Sequence, residues 1–127
     1  MAILQDILSE PALNGVYRLL AQVELVPVLD GRALADKPSL LTAIGHALDF
    51  PDYYGANWDA LEECLGDLSW RDGPVWLVIQ HADAIPEEQR TPLIDIFFEA
   101  SCHWARLGRV FSLFLTGLES GALPEAD

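Results

Sequence analysis

Two apolar runs, Val75-Trp76-Leu77-Val78-Ile79 and Val110-Phe111-Ser112-Leu113-Phe114-Leu115, constrain this chain more than anything else in it. Each has the length of a strand and neither alternates with polar residues, which is the pattern of a strand covered on both faces. Between them, Thr91-Pro92 reads as a cap followed by proline at the first helical position, opening a helix to about Leu107 before Gly108. A third strand is predicted over residues 23–29, stopped by Asp30-Gly31, with Pro27 arguing for an edge position or a bulge. Pro38-Ser39 opens a helix with Ser39 as N-cap that closes near Phe50-Pro51, and a further helix starts at Asn57. Helices alternating with strands predict an α/β fold on a small, mainly parallel sheet.

The ends are less constrained. Ile3, Leu4, Ile7 and Leu8 predict a short amphipathic helix stopped before Pro11, Val16 to Leu19 reads as extended or helical, and the polar tail from Gly117 is expected to fray. At 127 residues the chain is one domain's worth of polypeptide. We expect a single domain over 1–127, with a core at about 22–117, an extension over 1–21 and a tail over 118–127.

Charge narrows the function. Twenty Asp and Glu against seven Lys and Arg give a formal net charge of −13, a field that repels phosphate backbones and anionic lipid, so neither nucleic acid nor a membrane is expected as partner. No basic segment followed by a long apolar stretch reads as a signal peptide, which predicts a cytoplasmic protein with Cys64 and Cys102 as reduced thiols. His46, His81 and His103 lack metal-ligand spacing, and neither GxGxxG nor GxxxxGK[ST] occurs, so no metal and no cofactor is expected.

The segment from Asp52 to Leu68 carries two patterns at once. Trp58, Leu61, Leu65 and Leu68 form the buried stripe of a helix, while Asp59, Glu62, Glu63 and Asp67 share its opposite face. No Lys or Arg occurs between Pro38 and Trp70, and like charges at i, i+4 weaken a helix. This face is either solvated surface on an acidic protein or a docking surface for a cationic partner. Tyr53 and Tyr54, just before the helix, are candidate interface anchors, although one of them packing on the core fits equally. General acid and base catalysis by Asp59, Glu63 or Glu99 is disfavoured, because carboxylates on a convex helix face have nothing to split their pKa values. No catalytic residue is assigned, and the chain is not expected to be an enzyme.

The run Tyr53-Tyr54-Gly55-Ala56-Asn57-Trp58-Asp59-Ala60-Leu61-Glu62-Glu63-Cys64-Leu65 closely resembles the signature of the barstar family of intracellular ribonuclease inhibitors. The resemblance continues more weakly to Thr116. It implies a barstar-like fold with a three-stranded parallel sheet, and an immunity protein that neutralises a basic barnase-type ribonuclease, whether the cell's own secreted enzyme or a toxin, in a 1:1 complex. The acidic helix and the loop before it would plug the enzyme's active site. By the same resemblance, Tyr53 stacks on the nuclease's catalytic histidine and Asp59 and Glu63 pair with its phosphate-binding arginines. Gly55 and Asn57 match the loop and helix-start positions, and Glu99 is a further acid facing an arginine. The partner-binding candidates are thus Tyr53, Gly55, Asn57, Asp59, Glu62, Glu63, Asp67 and Glu99. Two positions depart from the pattern: Glu62 stands where the family has tryptophan, and Glu63 where it has aspartate. The alternative is therefore an interaction module of this fold that binds another cationic protein.

Overall fold

A computed structural model describes residues 3–20 and 27–127. The chain forms a five-stranded, all-parallel sheet in the order β2-β3-β4-β1-β5. The strands are β1 (Gly15–Leu19), β2 (Val28–Asp30), β3 (Val75–Gln80), β4 (Phe111–Leu115) and β5 (Glu125–Ala126). The helices are α1 (Leu4–Ile7), α2 (Lys37–Ala47), α3 (Trp58–Asp67) and α4 (Glu87–Arg106). Among the described residues no helix is long and apolar enough to cross a membrane.

Period-two geometry explains the two apolar runs. Val75, Leu77 and Ile79 of β3 and Phe111, Leu113 and Leu115 of β4 pack into the larger core beneath α2, α3 and α4. The residues between them, Val78 and Phe114, turn to the opposite face, where Leu4 and Ile7 of α1 join Tyr17, Leu19 and Ala126 in a second, smaller core. Because both faces are covered, neither strand has a polar side to alternate with.

The expectation of three strands is corrected to five. Val16 to Leu19, which local sequence left open, is extended because its backbone pairs with β4 on one side and β5 on the other. The tail does not fray at its end: Glu125 and Ala126 pair with β1, Leu20 N donates to Ala126 O at 2.9 Å, and Leu4 N donates to Asp127 O at 3.0 Å. No apolar pattern announces a strand of two residues held by backbone bonds. Residues 3–20, the described part of the extension expected over 1–21, lay α1 over the back of the sheet and supply β1. The strand predicted at 23–29 survives at its end as β2, an edge strand, which is one of the two options that Pro27 allowed, while residues 23–26 lie outside the described residues.

Two helix starts also move. α2 is capped by Asp36, whose carboxylate accepts from Ser39 N and Ser39 Oγ, both at 2.9 Å, so Ser39 lies inside the first turn. α4 begins at Glu87 behind an N-cap at Pro86, with Pro92 inside it. Glu87 and Glu88 suit the positive helix N-terminus, and Arg90 ties the first turn down by donating to Ala82 O and Ile85 O. Pro92 lies just past the opening turn and removes a single helical hydrogen bond.

Candidate functional site

The loop before α3 is fixed by one tyrosine and presents the other. Tyr54 is half-buried, with its ring edge-on to Phe50 at 4.7 Å and its hydroxyl donating to Leu41 O at 3.0 Å. Gly45 of α2 makes room for that ring, since a Cβ there would lie 2.8 Å from Tyr54 Cε2. Burial pushes the Tyr54 hydroxyl up to about 12. Tyr53 by contrast is 71% exposed. Its hydroxyl is 3.5 Å from Asp67 Oδ2, and its pKa is raised, first by desolvation and then by the charge of Asp67.

The start of α3 is built by Gly55 and Asn57. Asn57 is the N-cap, with its side-chain oxygen accepting from Ala60 N at 2.8 Å. A Cβ at Gly55 would come within 3.1 Å of the Asn57 amide nitrogen, so Gly55 leaves room for the cap. Ala56 between them adopts a left-handed φ of 49°, a strained conformation for a residue with a Cβ. Gly55 and Asn57 thus shape the first turn of the helix.

Asp59, Glu62, Glu63 and Asp67 are all exposed. Asp67 lies on the Tyr53 side of the face, and Glu62 lies on the α4 side, where it lines a cleft of about 220 Å³ with Glu99. The fold has brought Glu99 to the acidic face from 32 or more residues away along the chain. Among the described residues the ion pairs are Arg18–Glu125 and Arg32–Asp30, so none of these acids is paired. Lys37, just outside the stretch free of basic residues, sits 5.7 Å over the Trp58 ring. Beneath the face, Cys64 is buried, and its thiol is pushed up by desolvation and by the nearby Glu63 and Asp67 charges. Such a thiol is a poor nucleophile at neutral pH. Among the described residues no three His, Cys, Asp or Glu side chains gather as a metal site requires.

The residues that hold α3 in place escaped the sequence reading. Trp104 Nε1 donates to Leu65 O at 2.7 Å and locks α4 to α3. Arg109 stacks 5.0 Å from the Trp104 ring and donates to the carbonyls of Gly73 and Arg71 beyond the end of α3. Trp70 Nε1 donates to Leu48 O at 3.1 Å, joining α3 to α2. All three reach backbone carbonyls, which carry no residue-specific signal. His103 and Arg106, which line the α3–α4 cleft, were likewise unassigned.

Comparison with known proteins identifies the family of the chain. A protein of Bacillus subtilis (strain 168) named "Putative ribonuclease inhibitor YrdF" is 43% identical over 54 residues, which is 42% of this chain and 57% of that relative. The chain therefore spans a little over half the length of that relative. The family profile described as Barstar (barnase inhibitor) matches residues 25–116, which takes in β2, α2, α3, β3, α4 and β4. This chain belongs to the Barstar (barnase inhibitor) family.

Proposed function

We propose that the chain is a non-enzymatic inhibitor of a basic, barnase-type ribonuclease, binding one enzyme molecule and closing its active site with α3 and the preceding loop. The observation that carries this reading is the exposed face of Asp59, Glu62, Glu63 and Asp67, without an ion-pair partner among the described residues and held on a capped, packed helix beside exposed Tyr53. Carboxylates at fixed positions take the place of substrate phosphates in a cationic active site and offer nothing to cleave. Asp59 and Glu63 are the central pair, Tyr53 lies flat on the enzyme's active-site surface, and Glu62 and Glu99 engage cations from the α4 side. Gly55 and Asn57 position the others. The raised Cys64 thiol fits a binding surface better than a catalytic one. On this reading the protein works in the cytoplasm as an immunity protein, against the cell's own secreted enzyme or a neighbour's toxin.

Rigidity matters to the mechanism because side chains carried on a helix already fixed before contact lose only their own rotamer freedom on binding. Net charge matters to the rate, since a field of one sign steers a basic partner inward and weakens as salt rises. The test is titration of a barnase-type ribonuclease at low and high salt. A stoichiometric endpoint is expected, with association slowing in salt and Asp59→Asn or Glu63→Gln weakening the complex by about 30-fold or more. Absence of inhibition, or indifference to both substitutions, would overturn the reading in favour of an interaction module for another cationic protein.

A further inference from the structure

We infer that Asn14-Gly15 is a self-modification site gated by the fold: closed while β1 lies in the sheet, and open once β1 leaves it, when the Gly15 backbone nitrogen attacks the Asn14 side chain and turns it into an acid that the folded chain does not accommodate. The inference does not depend on the inhibitor reading. Asparagine is a chemically labile residue, most of all before glycine, which has no side chain to shield its backbone nitrogen. The chain has two asparagines, and the other, Asn57, precedes tryptophan. Both halves of the labile pair are required by the structure. The Asn14 side-chain nitrogen donates to Arg109 O at 2.8 Å and to Ser101 O at 3.2 Å, and its oxygen accepts from Phe111 N at 2.9 Å. One primary amide thus ties the start of β1 to α4 and to the entry of β4. At position 15 a Cβ would lie 3.1 Å from Tyr17 Cε2. That ring has little room to give, since its hydroxyl donates to Leu13 O at 2.6 Å and its face stacks on Phe114. The pair lies ahead of the residues matched by the family profile, in a strand outside that match.

The contacts that require the pair also keep it from reacting. The Gly15 nitrogen must lose its proton and reach Asn14 Cγ, but in the fold its N–H donates to Ser112 Oγ at 3.2 Å, within the run of β1 that pairs with β4. Cγ itself is held by the three bonds of its amide. Out of the sheet both constraints go. The bond from Gly15 N to Asn14 Cγ forms, the Cγ–Nδ2 bond breaks, and Nδ2 leaves as ammonia with the proton that Gly15 gave up. Water then opens the resulting cyclic imide. Attack at the side-chain carbonyl leaves aspartate, and attack at the backbone carbonyl leaves isoaspartate, in which the chain runs through the former side chain. Neither product refits. A carboxylate has no hydrogen to donate, so Ser101 O and Arg109 O lose their partner and face a negative charge. Isoaspartate also inserts a carbon into the backbone beside the Gly15–Ser112 pairing. A chain that stays open long enough to react returns to a weaker fold, so the lifetime of the protein is set by how often β1 is out of the sheet. A partner that binds only the folded chain lengthens it.

The experiment holds the full chain at one mildly alkaline pH, in buffer and in denaturing guanidinium chloride, and follows Asn14 by peptide mass and by enzymatic detection of isoaspartate. A synthetic peptide of residues 11–18 gives the ungated rate in each solvent. In the unfolded chain Asn14 is expected to react at the rate of the peptide, and in the folded chain at least about 100-fold more slowly, because only the open population reacts. The chain recovered with an acid at position 14, and the variant Asn14→Asp, are both expected to unfold at lower urea than the parent. Failure of Asn14→Asp to fold would be the same result in stronger form, since the gate is measured on the parent chain alone. If Asn14 in the folded chain reacts as fast as in the peptide, the fold sets no gate and the inference falls. If the reacted chain and Asn14→Asp unfold at the same urea concentration as the parent, the product is accommodated and the inference falls as well.

Discussion

Tyr53 and Tyr54 are neighbours in sequence with opposite tasks, and burial assigns them. Tyr54 spends its hydroxyl on Leu41 O inside the protein, which anchors the loop on α2, while Tyr53 keeps an exposed ring beside the acidic face. The anchor leaves a signature in pH. The Tyr54 hydroxyl moves from 10.0 to about 12 in the folded chain, so the fold favours the neutral phenol. Its contribution is therefore complete below pH 10 and is lost as pH rises through the window from 10 to 12. Urea denaturation across that window should show stability falling, and Tyr54→Phe should flatten the fall. The same variant should cost about 1 kcal/mol at pH 7 through the lost hydrogen bond. An equally steep alkaline fall in Tyr54→Phe would mean that another group is responsible.

The cap of α3 connects stability to the proposed binding face. Asn57→Ala removes the bond to Ala60 N and should cost about 1 kcal/mol, read as a lower urea midpoint at unchanged slope. Because the first turn carries Asp59, the variant should also bind a target ribonuclease more weakly than its stability loss alone explains. α3 was legible in sequence because cap, buried stripe and acidic face are all local to one segment. The start of α4 was not, because Thr91-Pro92 imitates a helix start while the real one depends on Arg90 reaching Ala82 and Ile85. β1 and β5 were illegible for a related reason: their strand character comes from each other and from β4, across some 100 residues of chain. Within the candidate site, Tyr53 and the acids of α3 could be read off one segment. The meeting of Glu62 with Glu99, His103 and Arg106 at a cleft depends on how two helices pack, and the Trp104–Leu65 bond that joins them leaves no local mark.

At the scale of the molecule the two faces of the sheet divide the work. One carries α2, α3 and α4, with the larger core and the acidic face; the other carries α1 and the end of the chain over the smaller core. That second face is closed by few contacts: β5 is two residues long, Ala126 is fully buried, and Asp127 O takes the bond from Leu4 N. Deleting residues 125–127 removes all three and leaves the edge of β1 without its partner strand. The protein should then unfold at lower urea, by an amount on the order of 2 kcal/mol, as expected for lost backbone bonds and a freshly exposed apolar edge. Under the inhibitor reading, the molecules that remain folded should still titrate a ribonuclease to the same endpoint, because every group assigned to binding lies on the other side of the sheet. A deletion variant that is fully folded by circular dichroism yet no longer inhibits would show that the C-terminal strand takes part in binding.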